Sequence, residues 1–270
     1  MREPIAEMSP RPKGVEMTDH SAQTSPQVYA RLCGVLYLIV IVIGIFTELF
    51  VRNKLTVSGD ATATANNIMA SQLLWRSSIV GDVILLVCAV AQALLFYVLL
   101  RPVNKNLALL AVFFNLVECA IDGVNKLNLI AALFLSGGAD YLKAFEPHQL
   151  HALAYFSLKL HAYGYAISLV FFGFVCLIFG FLLFRSGYFP KTLGVLMTIA
   201  GLSYLTISST QILAPTYAGT IFPILGVPAF VGELSFCLWL IVKGVNVRKW
   251  EEKASLGGAV QLKTAAYPSA

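Results

Sequence analysis

Residues 115–126 read NLVECAIDGVNK and lie inside the apolar run of residues 107–135. At 100° per residue, a helix gathers the polar side chains of this stretch within an arc of about 100°. These side chains are Asn115, Glu118, Asp122, Asn125 and Lys126. A charged group at membrane depth costs roughly 2.5–3.5 kcal/mol on insertion scales, so the stripe must face protein, water or its own members. The stretch therefore predicts a membrane helix with one polar face.

The composition of the chain is typical of a multi-pass membrane protein. Hydrophobic residues make up 58% of the 270 residues and charged residues 12%, against about 25% charged residues in soluble domains. The mean hydropathy is +0.76, and several apolar runs exceed the roughly 18 residues that indicate a membrane span. The net charge of +5 is concentrated in tails and short loops, so it indicates membrane orientation rather than binding to nucleic acid. The expected partner is the lipid bilayer.

The apolar runs predict an all-α fold, a bundle of six transmembrane helices with an interfacial helix between the first two. The predicted spans are residues 30–51, 77–100, 107–135, 160–184, 192–213 and 221–242. The interfacial helix is expected at residues 61–70, capped by Ser58 or Asp60, with Trp75 and Arg76 as an anchor at the membrane surface. The predicted domains are a disordered cytoplasmic tail (1–27), the membrane domain (28–246) and a second cytoplasmic tail (247–270).

The lysine and arginine residues favour one orientation of this bundle. With both termini in the cytoplasm, the inner segments hold thirteen of these residues and the outer segments hold four. Because cytoplasmic loops carry the excess of positive charge, both termini are predicted to be cytoplasmic.

Polar residues on the other spans fall mostly in their predicted outer parts. Together with the stripe on the third span, the candidates for a polar cavity are Glu48, Asp82, His161, Tyr204, Ser208, Gln211 and Glu233. We expect a hydrated cavity that opens outwards and has its floor near Glu118 and Glu233. The alternative is that Asp122 neutralises Lys126 four residues later, while the other polar residues only hold helices together at about 0.6 kcal/mol each.

Other chemistry has weaker support in the sequence. His148 and His151 share a helix face close to Glu146, but a catalytic zinc needs three converging ligands, so neither a metal nor a cofactor is expected. The five cysteines are scattered singly through apolar runs, which is typical of buried free thiols. The glycine pairs Gly173/Gly180 and Gly194/Gly201 recur at seven residues and predict close helix packing.

Six stretches together resemble the domain of unknown function 4386 family of bacterial integral membrane proteins. They are RLCGVLYLIVIVIGIFTELFVR (31–52), GDATATANNI (59–68), LLRPVNKNLALLAVFFNLVECAI (99–121), KLHAYGYAISLVFFG (159–173), FRSGYFPKTLGVLMTIAGLSYL (184–205) and GELSFCLWLIVKGV (232–245). The resemblance implies a multi-pass protein of the bacterial cytoplasmic (inner) membrane, and it implies no activity. By this likeness the family pattern includes Glu48, Arg52, Asp60, Arg101, Glu118, His161, Gly164, Gly187, Pro190 and Glu233.

Three functions remain open at the level of sequence. The first is binding or movement of a small solute or ion through the polar cavity, carried by Glu118, Asp122, Lys126 and Glu233. The second is a membrane-embedded enzyme acting on a lipid or isoprenoid, with His161 and the carboxylates as acid–base groups. The third is a structural or sensory membrane component without turnover. The sequence assigns no catalytic residue and no oligomeric state.

Overall fold

The computed structural model describes residues 25–266 and the side chains of residues 25–256, and within this range the protein contains helices and no strand. The helices are α1 (Pro26–Leu55), α2 (Ala61–Ala70), α3 (Gln72–Leu100), α4 (Lys105–Ser136), α5 (Pro147–Ser186), α6 (Lys191–Leu213), α7 (Pro215–Val242) and α8 (Val247–Ala266). All except α2 and α8 are long and apolar enough to cross a membrane. The all-α fold with six candidate membrane helices is therefore confirmed.

Proline residues mark the beginnings of three membrane helices. Pro26 follows the cap residue Ser25, and Pro147 lies in the first turn of α5. Pro215 begins α7 directly after α6, although the sequence predicted that this helix starts only near residue 221. Proline fits the first turn because the N–H it lacks would have no partner there. The chain therefore reverses direction between α6 and α7 with almost no loop.

The two predicted tails lie partly outside the described residues, which exclude residues 1–24 and 267–270. The last residues of the predicted N-terminal tail already cap and begin α1. In the predicted C-terminal tail, α8 packs against the bundle through Trp250, whose Nε1 donates a hydrogen bond to the Leu99 carbonyl at 3.0 Å.

The six membrane helices form a closed ring. Each packs chiefly against its neighbours in chain order, beginning with α1 beside α3, and α7 returns to α1. Gln27 of α1 fastens this last contact, because its Nε2 donates to the Lys243 carbonyl at 2.9 Å and its Oε1 accepts from the Val245 N–H at 3.0 Å. Among the described residues, the backbones of helices that are not neighbours in the ring rarely come close to one another. The ring therefore encloses a central space.

Glycine residues bring α5 and α6 into close backbone contact. A Cβ atom added at Gly180 would lie 2.9 Å from the Gly194 carbonyl oxygen, and one at Gly201 would lie 2.8 Å from the Gly173 carbonyl oxygen. The two backbones therefore touch where the glycines face each other. The predicted packing role of these four glycines is confirmed.

The helix α2 packs across the end of the bundle. Asp60 caps it by accepting a hydrogen bond from the Ala63 N–H at 2.8 Å, and Ile68 joins a small apolar core with Trp75 and Leu129. Trp75 is 1% exposed, and its Nε1 donates to the Leu129 carbonyl at 3.0 Å. The prediction of Trp75 as a surface anchor was wrong, because this core buries its indole. The position of α2 at a membrane surface stays a prediction.

Candidate functional site

A cavity of about 330 Å³ lies inside the ring and is lined by residues from all six membrane helices. Its walls are largely apolar and aromatic, and each of the six helices contributes at least one polar side chain to the lining. Pockets of roughly 300–1,000 Å³ with a few convergent polar groups are typical of small-molecule sites. The cavity is therefore the candidate site.

Most of the polar residues singled out in the sequence line this cavity. Among its carboxyl groups are Glu48, Asp82, Glu118, Asp122 and Glu233. Its other predicted members are Asn115, Lys126, His161 and Tyr204. Three candidates lie away from its lining, namely Asn125, Ser208 and Gln211.

Five charged side chains alternate in sign near one end of the cavity, which we call the charged end. Arg52 binds Glu48 at 2.9 Å and also forms an ion pair with Asp82. Lys126 Nζ lies 3.6 Å from the same Asp82 carboxylate and 3.0 Å from Asp122 Oδ1. The series Glu48–Arg52–Asp82–Lys126–Asp122 thus connects α1, α3 and α4. Each cation thus has a carboxylate on either side, and Arg52 Nε is the one nitrogen of its guanidinium that is buried without a hydrogen-bond partner among the described residues.

The part of α1 that reaches the charged end is a π-helical segment. Between Phe46 and Arg52 the helix widens into a π-helix, and this segment carries both Glu48 and Arg52. Thr47 in the same segment accepts a hydrogen bond from Arg52 Nη1 at 3.3 Å. Short π-helical segments occur frequently at functional sites. The π-helical segment therefore carries the three polar groups that α1 contributes to the charged end.

Glu118 and Glu233 lie outside the charged series. Glu233 accepts a hydrogen bond from the Tyr204 hydroxyl, and Glu118 Oε2 lies 3.3 Å from Cys119 Sγ. Within the described part of the chain, neither carboxylate has a lysine, arginine or histidine nitrogen within 4.0 Å. Counting only the residues that the structure describes, the cavity thus contains two carboxyl groups without a cationic partner.

Asn125 positions α4 against α5 beside the cavity. Its Nδ2 donates to the His161 carbonyl at 2.9 Å, and its own carbonyl lies 3.4 Å from His161 Nδ1. A Cβ atom on Gly164 would collide with the Asn125 carboxamide. Gly164 therefore makes room for this hydrogen bond, and Asn125 holds the helix that carries His161.

Aromatic rings close the end of the ring opposite the charged end. Phe96 stacks on Phe236 with ring centroids 5.4 Å apart, and Tyr37 meets both rings edge to face. Phe179 lies against Phe96 at 4.6 Å. The cavity lining includes Phe96 and Phe179, so the cavity continues past Glu118 and Glu233, where the sequence predicted its floor.

Several lining residues were absent from the predicted set. They are Tyr37, Arg52, Gln92 and Tyr165. Arg52 carried a sequence signal because it follows Glu48 by four residues, and Tyr165 follows His161 by the same spacing. For Tyr37 and Gln92, no sequence signal separates them from ordinary buried residues.

The residues considered for a metal site do not converge. Among residues 25–256, no group of three histidine, cysteine, aspartate or glutamate side chains is arranged to hold a metal ion. His148 is exposed, and His151 Nδ1 lies 3.3 Å from Thr62 Oγ1 of α2. His151 therefore contacts α2 rather than a second ligand.

Comparison with known proteins places this architecture in a family. The model of the domain of unknown function family DUF4386 matches residues 32–244. An uncharacterized protein of Archaeoglobus fulgidus is 35% identical over 178 residues, which cover 66% of this chain and 88% of the relative. No solved structure matches the chain.

Proposed function

Since the chain belongs to the DUF4386 family, which is defined without an activity, we propose from its cavity that it binds a small solute or ion inside the membrane and moves it across. The observation that carries this proposal is the cavity of about 330 Å³ within a ring of six apolar helices. Ionisable groups inside a membrane bundle are costly and are retained chiefly where they bind or conduct. A purely structural role would need only enough polar groups to join neighbouring helices.

The charged series and the two further carboxyl groups have separate roles in this proposal. Arg52 and Lys126 are compensated by Asp82 and its neighbours, so the series fixes the relative positions of α1, α3 and α4. Glu118 and Glu233 remain available to a solute because neither has a cation beside it. Both groups face the same cavity.

The proposed location is the cytoplasmic membrane of a bacterium, with both termini in the cytoplasm and the charged end facing outwards. The support for this orientation is the excess of lysine and arginine in the predicted inner segments. Green fluorescent protein does not become fluorescent when it is exported unfolded across the membrane, so we expect a fusion after residue 270 to fluoresce, and a dark fusion would contradict the orientation.

Hydration of the cavity provides the main test. In a chain whose five native cysteines are replaced by alanine, Asn115→Cys places a thiol in the lining and Val117→Cys places one on an exposed, apolar face of the same helix. Iodoacetamide reacts with the thiolate, which forms only in contact with water. We expect Asn115→Cys to react at least tenfold faster than Val117→Cys in membrane vesicles.

Equal, slow reaction at both positions would contradict the proposal. A cavity without water offers no path to a polar solute, and the polar groups would then serve packing alone. Each variant should first be shown to run as a single species in size-exclusion chromatography.

A further inference from the structure

We propose that the cavity accepts a hydrophobic organic cation, such as a lipophilic ammonium or phosphonium ion. This inference rests on the proposed binding function and names its ligand class. The juxtaposition that supports it is two carboxyl groups without cationic partners, Glu118 and Glu233, inside a cavity with aromatic walls.

The balance of charge in the cavity favours a cation. Five carboxyl groups line it, and only Arg52 and Lys126 oppose them. Both of these cations are already engaged by the charged series. An anion would meet the carboxylates that already pair with Arg52 and Lys126, whereas a cation finds Glu118 and Glu233 available. Burial of a charge is tolerated only where it is paired.

A polar group deeper in the cavity also lacks a partner. Gln92 is 6% exposed and lines the cavity, and its Nε2 has no hydrogen-bond partner among the described residues. Buried polar atoms in native proteins are nearly always hydrogen-bonded. Gln92 therefore adds a buried amide with an unused donor to the wall of the cavity.

The walls suit a cation that is bulky and apolar rather than a hydrated inorganic ion. The rings of Phe172 and Tyr204 lie 5.3 Å apart, and Tyr165 and Phe230 complete an aromatic lining around the carboxyl groups. Aromatic faces attract cations, and the attraction reaches about 2 kcal/mol where water is excluded. A small inorganic ion would need a shell of converging oxygen ligands, and among the described residues no three aspartate, glutamate, histidine or cysteine side chains converge to hold a metal ion.

The first half of α7 offers an apolar route into the cavity. None of residues 215–228 is buried, and no described atom outside the helix lies within 4 Å of where a Cβ on Gly219 or Gly226 would be. The same half contains Pro223 within the helix, and Phe222 reaches the cavity lining. Proline and loose packing allow a helix to bend. This loosely packed half of α7 is therefore where we expect an amphiphile to enter the cavity from the lipid.

A pair of matched ions provides the test. Tetraphenylphosphonium and tetraphenylborate have the same four phenyl rings and opposite charge. We expect the purified full-length protein in a neutral detergent to bind the phosphonium ion in equilibrium dialysis, after subtraction of protein-free micelles, and to bind the borate at least tenfold more weakly. Equal binding of both ions would overturn the inference.

Carboxamide variants locate the binding. Glu118→Gln and Glu233→Gln keep the size of each side chain and remove its ability to carry negative charge, so each should weaken phosphonium binding at least tenfold. Glu252→Gln makes the same change on an exposed residue of α8 and should leave binding within twofold of the wild-type value. Unchanged binding in both cavity variants would contradict the assignment.

A second measurement works even if those variants fail to fold. Tetraphenylphosphonium should slow the reaction of Asn115→Cys with iodoacetamide, and tetraphenylborate should not. If the thiol reacts rapidly but the phosphonium ion gives no protection, the proposed ligand class is wrong, while the proposal of a hydrated cavity is supported. If the thiol does not react at all, the proposed function fails together with the inference.

Discussion

Asp82 of α3 binds Arg52 of α1, and the two side chains are among the most deeply enclosed charges of the protein, at 4% and 11% exposed. The pair joins the two helices although Arg52 and Asp82 are 30 positions apart in sequence. Lys126 approaches the same carboxylate from α4 at 3.6 Å. Asp82 is therefore the residue on which three helices converge.

Removal of this carboxylate should destabilise the fold. Asp82→Asn leaves Arg52 and Lys126 facing each other without the negative charge between them, and loss of one member of a buried ion pair typically costs about 3–5 kcal/mol. Unfolding in mixed micelles of a mild and a denaturing detergent measures the change. Glu48→Gln is the control, because the Glu48 side chain is 47% exposed and exposed pairs contribute about 0–1 kcal/mol. Equal losses in the two variants would contradict a central role for Asp82.

The glycine contact between α5 and α6 predicts a strong effect of one added methyl group. Gly180→Ala brings a Cβ to within 2.9 Å of the Gly194 carbonyl oxygen, and overpacking of this kind costs about 1–3 kcal/mol. Gly226→Ala in α7 meets open space, so it should be neutral or stabilise the helix by up to about 1 kcal/mol. Thermal unfolding of the two variants distinguishes a packing contact from a general effect of helical glycine.

The turn after α7 predicts a second glycine effect with two components. Gly244 has φ +67°, and a Cβ there would lie 2.5 Å from Gln27 Nε2. Gly244→Ala therefore combines left-handed strain of roughly 1–2 kcal/mol with loss of the Gln27 hydrogen bonds at about 1 kcal/mol each. Gly187→Ala has the same strain at φ +76° with nothing near its Cβ. Gly244→Ala should thus lower the unfolding free energy more, and identical values would argue against the Gln27 contact.

Filling the cavity should abolish ligand binding without unfolding the protein. Ala89 lines the cavity from α3, so Ala89→Phe places a ring in the space that the ligand needs. We expect phosphonium binding to fall at least tenfold in equilibrium dialysis, with little loss of thermal stability. Val87→Phe, two residues earlier at a position 65% exposed, should leave binding unchanged. Binding that survives Ala89→Phe would place the ligand elsewhere.

Local sequence spacing predicted the parts of the site that lie on a single helix. Glu48 and Arg52, like Asp122 and Lys126, are four residues apart, and both pairs form ion pairs in the structure. A helix fixes such neighbours without any knowledge of the rest of the fold. The lengths of the apolar runs are also a local property of the sequence, and they predicted the six candidate membrane helices.

Local spacing could not predict which residues meet across two different helices. The Tyr204–Glu233 hydrogen bond and the Asp82–Arg52 pair depend on which helices are neighbours and at what depth they meet. Hydropathy specifies neither. Trp75 beside Arg76 matched the pattern of a surface anchor, yet a core formed with α2 buries it. Nothing in the local pattern separates these two environments.

The closure of the ring by α1 and α7 has a consequence for biosynthesis. The ribosome synthesises the chain from its N-terminus at about 5–20 residues per second. The helix α1 is therefore made roughly ten seconds or more before α7, which completes the ring. During this interval the ring is incomplete, because the contact between α7 and α1 has not yet formed. A chain that is cut short before α7 therefore lacks one wall of the ring and leaves the cavity open on that side.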